Sequence, residues 1–179
     1  NFNLFNYIMN KKIIFSGKHN IELIEGKKEC KRINNILPSI DKKYLERKGQ
    51  IEIINCLYLN QEFKDITIIK TELNRKIKGY QQQDKEKKIY NRDSFISFDQ
   101  CIESLVISQL KCFYCLCDVQ LLYENIRQSN QWTLDRIYNN IGHSQKNIVI
   151  CCLSCNLSKR CRSKEVFVFT KQLKIKKKE

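Results

Sequence analysis

Residues 131–160 read QWTLDRIYNNIGHSQKNIVICCLSCNLSKR, and this stretch decides the expected fold. Apolar and polar residues alternate over 132–137, which is typical of a β-strand. A turn-like segment at 139–144 separates this strand from a second apolar run at 147–150. A short helix is expected over 152–160. The order of these segments predicts a β-hairpin that is followed directly by a helix.

Four cysteines form two C-x2-C pairs around this stretch, with 36 residues between the pairs. The four are Cys112, Cys115, Cys152 and Cys155. A two-residue spacing lets both thiolates of a pair bind one ion at about 2.3 Å, and two pairs complete a tetrahedral zinc site. Four thiolates leave no open position on the ion, so the predicted Zn²⁺ is structural. Because nothing suggests secretion, the thiols are expected to be reduced and the protein intracellular.

The remaining cysteines have weaker claims to metal binding. Cys117 and Cys151 lie beside the pairs and could compete as ligands. Cys161 is expected on a helix face or in the C-terminal tail. The cysteines expected to be small buried hydrophobic residues are Cys30, Cys56 and Cys101.

Short motifs between and after the cysteine pairs carry a resemblance. They are Leu134-Asp135-Arg136-Ile137, Gly142-His143, Asn147-Ile148-Val149, and Cys155-Asn156 followed by Lys159 and Arg160. With the cysteines, they resemble the HNH endonucleases of the ββα-metal (His-Me finger) superfamily, and within it the zinc-stapled recombination endonuclease VII type. The match covers roughly residues 97–170, just under half of the chain.

The resemblance implies an α+β fold in which a small zinc-stapled β-hairpin–helix module carries a metal-dependent DNA endonuclease. Asp135 and Asn156 would offer oxygen atoms to a single catalytic Mg²⁺ or Mn²⁺. Asn147 would tie the loop to the hairpin. The side chains that would meet the phosphates of duplex or branched DNA are Lys159, Arg160 and Arg162.

One position departs from the family pattern. The residue after Asp135, where the family carries its general-base histidine, is Arg136. Arginine stays protonated and cannot activate water, although it could clamp a phosphate oxygen. His143 is the available substitute base, and the alternative is a histidine that caps the turn. Tyr138 is a weaker candidate.

The charge of the chain favours a polyanionic partner. Its 179 residues carry 33 Lys and Arg against 19 Asp and Glu, a net charge of +14, with +8 in residues 1–90 and +6 in residues 91–179. So even a distribution favours nucleic acid over a membrane surface. The sequence contains no run of about 18 uncharged apolar residues, so no membrane span is predicted. The absence of Ala and the abundance of Ile, Lys and Asn suggest an A/T-rich genome, such as that of a large DNA virus or a mobile element.

The predicted division of the chain lies near residues 88–94. Before it is a basic N-terminal region of unknown role, residues 1–90, with mixed α/β character. After it is the HNH-like zinc-binding domain, residues 91–179, with a basic C-terminal tail. Localisation in a nucleus or at a viral replication site would fit this assignment.

Several local segments are predicted as well. Short strands are expected at 13–15 and 21–24, and the run 51–59 is ambiguous between strand and helix. Apolar spacing predicts a helix from Phe63 to Ile77. Residues 78–88 (KGYQQQDKEKK) are interpreted as a connector or an exposed arm that could contact phosphates.

The C-terminal part carries helix signals. Ser97 and Gln100 have the S-x-x-Q form of a capping box, which predicts a helix of about three turns. Trp132 is expected in the core beneath the hairpin. The apolar residues expected to share one buried helix face are Val166, Phe169 and Leu173, before a helix end and basic tail at 171–179.

Three functions remain open at this point. The first is an active metal-dependent endonuclease, favoured by the pair Asp135 and Asn156. The second is a catalytically degenerate HNH fold that acts as a zinc-stabilised nucleic-acid-binding module, favoured by Arg136. The third is a structural zinc protein within a larger basic complex.

Overall fold

The computed structural model describes residues 39–173. All of these residues belong to one compact unit. The strands predicted at 13–15 and 21–24, Cys30 and residues 174–179 of the tail lie outside the described residues.

The described part is mixed α/β, with five α-helices and one two-stranded sheet. Its elements are a 3₁₀ turn (Lys42–Leu45), α1 (Arg47–Tyr58), α2 (Ile66–Glu86), α3 (Phe98–Ser108), β1 (Trp132–Arg136), a second 3₁₀ turn (Gln145–Asn147), β2 (Ile148–Cys152), α4 (Leu153–Lys159) and α5 (Lys164–Gln172).

The predicted β-hairpin and helix are confirmed. β1 and β2 pair antiparallel, with Trp132 opposite Cys152 and Arg136 opposite Ile148. All five residues of β1 are buried, so both faces of this strand are covered by other parts of the chain. β2 leads into α4 with no intervening loop, which places the second cysteine pair at the junction of strand and helix.

The helix predicted after Ser97 is also confirmed. The Ser97 side chain accepts from the backbone N–H of Gln100, and the Gln100 side chain accepts from the backbone N–H of Ser97. This reciprocal pair satisfies two N–H groups that a helix start otherwise leaves free. Ile102 and Leu105 of α3 lie in the core.

The ambiguous run at 51–59 is helical and belongs to α1. Ile53, Ile54 and Leu57 are buried, at the three- and four-residue spacing of one helix face. α1 packs on α3 and on the first 3₁₀ turn.

The interpretation of residues 78–88 as a connector or exposed arm is wrong. α2 continues to Glu86, and Tyr80 and Asp84 extend the buried face that Leu73 and Ile77 begin. The polar composition concealed this face, because its last two buried positions carry a hydroxyl and a carboxylate that find partners on the hairpin and its loop. Lys85, Lys87 and Lys88 are exposed at the end of this helix.

α2 lies against β1 through polar contacts. The Tyr80 hydroxyl accepts from the backbone N–H of Leu134 at 3.1 Å. The Lys76 ammonium donates to the Gln131 side chain at 2.9 Å and to the carbonyl of Trp132, and it lies 4.6 Å from the centroid of the Trp132 ring. These contacts join a helix that precedes the predicted division at 88–94 to the hairpin that follows it.

Two apolar predictions have different outcomes. Trp132 is fully buried, as expected, and its indole N–H has no hydrogen-bond partner among the described residues. The prediction of which face of the C-terminal helix is buried is wrong. Val166, Phe169 and Leu173 are all more than half exposed, and Phe167 is buried instead, against the ring of Tyr114.

Candidate functional site: a four-cysteine cluster beside Asp135

The four predicted cysteines come together and could hold a metal ion such as zinc. Their Sγ atoms all lie within 4.8 Å of one another, and Cys115 and Cys152 are 3.9 Å apart. A tetrahedral four-sulfur zinc site has edges of about 3.8 Å, given zinc–sulfur bonds of about 2.3 Å. The thiols therefore match the donor type, the number and nearly the spacing that zinc requires.

Local backbone structure places both pairs. In the second pair, Cys152 caps α4, because its Sγ accepts from the backbone N–H of Cys155 at 3.4 Å. In the first pair, the backbone N–H of Cys112 donates to the carbonyl of Cys117 at 2.8 Å. The backbone N–H of Phe113 donates to the carbonyl of Ile150 in β2 at 2.9 Å. A metal here would join the first pair to the end of β2 and the start of α4.

The other described cysteines differ in burial and in their distance from the cluster. Cys117 is exposed, yet its Sγ lies 3.0 Å from that of Cys115, which keeps it a potential competitor. Cys151 is buried on the opposite side of β2 from the cluster, where the Thr133 hydroxyl contacts it at 3.2 Å, and Cys161 is exposed. Cys101 is buried as predicted, and Cys56 is half-buried.

Asp135 is held by one of its two oxygens. Its Oδ2 accepts from the Tyr114 hydroxyl at 2.6 Å and lies 3.1 Å from the ammonium of Lys159. No described residue donates a hydrogen bond to the other oxygen, Oδ1. This oxygen is not fully buried. Burial and this carboxylate together raise the pKa of Tyr114, so the phenol stays a donor. The carboxylate is thus oriented and keeps one oxygen open.

Lys159 does not meet solvent, contrary to the phosphate contact predicted for it. Its side chain is fully buried, and besides Asp135 it donates to the carbonyl of Arg136 at 2.7 Å. Lys159 is the last residue of α4, and its side chain reaches the end of β1. A buried ammonium needs such a partner, because desolvating an unpaired charge is costly.

Asn156 is oriented in a similar way. Its Nδ2 donates to the Thr133 hydroxyl at 3.1 Å and to the carbonyl of Leu134 at 3.3 Å, so the amide lies beside the peptide that leads into Asp135. No described residue donates a hydrogen bond to its Oδ1, and this oxygen is not fully buried. Asp135 and Asn156 therefore each keep one oxygen without a partner among the described residues.

Arg136 points away from this pair of oxygens. Its side chain is 9% exposed, donates to the carbonyl of Asn139 at 3.1 Å and lies 3.8 Å from the carboxylate of Asp84. Asp84 is fully buried on α2 and meets the loop that follows β1. Arg136 is therefore used inside the protein, and the phosphate clamp considered for it would require this contact to break.

His143 is sequestered by the same carboxylate. Its Nδ1 lies 2.8 Å from Asp84 Oδ1, its backbone N–H donates to Asp84 Oδ2, and its ring packs on Tyr80 with centroids 4.8 Å apart. Burial lowers the pKa of His143, and the charge of Asp84 opposes that shift. With its side chain only 4% exposed, the geometry favours the turn-capping interpretation over that of a general base.

Close contact with Asp84 predicts the effect of a small substitution in this loop. A Cβ added at Gly142 would lie 2.7 Å from the carbonyl oxygen of Ile89 and 2.8 Å from Asp84 Oδ2. We expect Gly142→Ala to lower the free energy of unfolding by about 1–3 kcal/mol, as overpacking does. Gly79→Ala is the matched control, because nothing lies within 4 Å of its Cβ and alanine favours a helix interior. Urea unfolding of both variants measures the difference, and equal stability would contradict it.

The loop and the basic residues complete the site. Asn147 ties the loop to the hairpin, as predicted, since its side chain bonds both backbone groups of Tyr138 and the carbonyls of Ile141 and Gly142. Arg160 and Arg162 are exposed, although Arg162 also donates to the carbonyls of Lys159 and Ser158.

Sequence reasoning missed the supporting residues Asp84, Tyr114 and Lys76. Tyr114 lies inside a cysteine pair, a position that drew attention to the thiols alone. Asp84 and Lys76 lie in α2, far away in sequence, and no local signal connects them with the hairpin.

No family model, curated protein or solved structure matches the chain. Among residues 39–173, no helix has the length and apolar character needed to cross a membrane.

Proposed function

We propose that this chain is a zinc-stabilised nuclease of the HNH type, which hydrolyses phosphodiester bonds in DNA with the help of one divalent ion. The observation that supports it best is the pair of unpaired oxygens, Asp135 Oδ1 and Asn156 Oδ1, on β1 and α4. Carboxylate and amide oxygens are the ligands that Mg²⁺ and Mn²⁺ prefer.

In this proposal, the four cysteines bind structural zinc and fix the start of α4. Because Asn156 follows Cys155 directly, the zinc site also fixes the position of the amide. Tyr114 and Lys159 orient the Asp135 carboxylate by holding its Oδ2, which is how groups around a metal ligand set its geometry. The divalent ion would supply electrostatic stabilisation of the charge that develops on the phosphate.

The protein surface fits a polyanion. Exposed lysines lie at residues 85, 87 and 88, at and just after the end of α2. They are within about one helical turn of Asp84, which contacts the hairpin loop. Exposed arginines follow α4 at residues 160 and 162. Both groups lie next to elements that carry the candidate ligands. Phosphate contacts of this kind position a nucleic acid without reading its sequence.

A second candidate function, DNA binding without cleavage, is favoured by a different observation. Arg136 occupies the position of the expected general base, and His143 is committed to Asp84. Arg136 stays protonated and cannot accept a proton, and only 4% of the His143 side chain is exposed to water. If no other group serves, the fold would be a binding module that retains zinc and the basic surface.

Nicking of supercoiled plasmid by the zinc-loaded chain with Mg²⁺ or Mn²⁺ distinguishes the two candidates. We expect Asp135→Asn and Asn156→Ala each to lower the nicking rate by about 100-fold or more, because each removes a ligand of the ion. The matched control is Glu62→Gln, an exposed carboxylate between α1 and α2, which should leave the rate unchanged.

His143→Gln tests the base separately. A general base contributes about 10²–10⁴-fold, so a loss below about tenfold per folded molecule agrees with the turn-capping role. Zinc content and circular dichroism of every sample separate loss of catalysis from loss of fold. A zinc-loaded wild-type chain that binds DNA and cuts neither supercoiled plasmid nor a single-stranded circle would reject the nuclease in favour of the binding module.

A further inference from the structure

A cavity of about 410 Å³ opens between the loop after β1 and the start of α5. Its lining includes Tyr138, Asn139, Asn140, Arg162, Ser163 and Glu165. The volume lies in the range of small-ligand pockets. Two hydrogen bonds hold the loop that lines it: the Asn139 carbonyl accepts from Arg136 at 3.1 Å, and the Asn139 Nδ2 donates to the carbonyl of Arg160 at 3.2 Å.

Tyr138 gives this cavity an exposed aromatic wall. Tyr138 is 62% exposed, while its backbone is fixed on both sides by Asn147. An exposed ring on a rigid backbone offers a flat face at little cost in conformational freedom. Unstacked nucleobases pack on such faces, whereas the bases of an intact duplex do not reach them.

The polar lining suits the edge of a base better than a lone phosphate. The amides of Asn139 and Asn140 can both donate and accept hydrogen bonds, Arg162 donates, and the Glu165 carboxylate accepts. The Arg162 guanidinium is held over the ring of Phe167 at 4.8 Å. A site for an anion alone would be weakened by Glu165, because like charges repel.

Several of the residues that line the cavity are close in sequence to the proposed metal ligand Asp135. Ile137, which lines it, comes two residues after Asp135 and directly follows the end of β1. Tyr138 is the next residue, so the exposed ring and the proposed ligand Asp135 belong to residues three apart in the chain.

We infer that this cavity receives an unpaired nucleotide, with its base stacked on Tyr138, so that the substrate class is single-stranded or locally unpaired nucleic acid. The inference rests on the proposed nucleic-acid function and adds the form of the substrate. It separates the chain from a protein that acts on continuous duplex.

Direct binding tests it without reference to cleavage. The zinc-loaded full chain is titrated, with no added divalent ion, into a fluorescent single strand of about 12 nucleotides and into the matching duplex. We expect Tyr138→Ala to weaken single-strand binding by about 5- to 100-fold, as removal of one stacking partner does, and to change duplex binding by less than about twofold.

Two further variants control this result. Tyr138→Phe keeps the ring and should bind like the wild type. Tyr58→Ala removes a tyrosine of similar exposure (50%) at the end of α1 and should have no effect. The fluorescence of 2-aminopurine in the single strand should be quenched by the wild type and not by Tyr138→Ala.

Unchanged single-strand binding by Tyr138→Ala, or an equal loss for single strand and duplex, would overturn the inference. If that happens while the wild type nicks plasmid, only the cavity assignment fails. A chain that binds neither form of DNA would overturn both the inference and the proposed function.

Discussion

Removal of zinc is expected to unfold the hairpin and α4. The four thiols sit where the first cysteine pair, β2 and α4 meet, and Cys112, Cys152 and Cys155 are buried. Structural zinc sites bind with about 10–16 kcal/mol in small peptides at neutral pH, which is as large as the whole stability of a typical domain. A strong chelator should therefore abolish the cooperative thermal transition of this part of the chain, and added zinc should restore it.

Substitutions separate the ligands from the neighbouring thiols. Cys112→Ser and Cys155→Ser should lower bound zinc from one ion per chain towards none and should lose the folded circular dichroism signal. Cys161→Ser is the matched control, because this exposed thiol lies outside the cluster. Cys117→Ser tests the competitor that lies 3.0 Å from Cys115. A Cys155→Ser variant that keeps its zinc would contradict the ligand set.

The local signals of the sequence predicted the hairpin, the helix after Ser97 and the cysteine cluster. Each of these depends on spacing over a few residues: alternation in a strand, a reciprocal cap, or two thiols two residues apart. The one long step, that two cysteine pairs meet, follows from chemistry, because four thiolates complete one tetrahedral ion.

The supporting contacts of the site could not be predicted in the same way. Tyr80 meets Leu134, and Asp84 meets His143, across 54 and 59 residues of sequence. Both residues lie in a polar stretch that is typical of a solvated helix. A buried carboxylate is revealed only by its partners, and those are known only once the fold has brought them together.

The C-terminal helix shows a different limit. Its apolar residues include two possible faces, and the spacing of Val166, Phe169 and Leu173 favoured the wrong one. Tyr114 decides the outcome, because its ring packs against Phe167 at 4.9 Å and selects that face. Spacing within a nine-residue helix does not contain this information.

Loss of the Lys159 charge is expected to have the second large effect on stability. The side chain is fully buried, and its ammonium lies between Asp135 Oδ2 at 3.1 Å and the carbonyl of Arg136 at 2.7 Å. Lys159→Met keeps the length and removes the charge, which leaves a buried carboxylate and a carbonyl without their shared partner. Breaking a buried pair in this way costs about 3–5 kcal/mol, so the midpoint of urea unfolding should fall sharply.

A double-mutant cycle with Asp135→Asn identifies the cause. If the carboxylate is what the lysine stabilises, Asp135→Asn should recover part of the stability lost in Lys159→Met, with a coupling of about 0.5–3 kcal/mol. Lys146→Met is the matched control, because Lys146 is exposed, and surface changes stay within about 0.5 kcal/mol. Strict additivity of the two substitutions would mean that the ammonium serves the Arg136 carbonyl alone. In that case Tyr114 would be the one side chain that orients Asp135 for an ion.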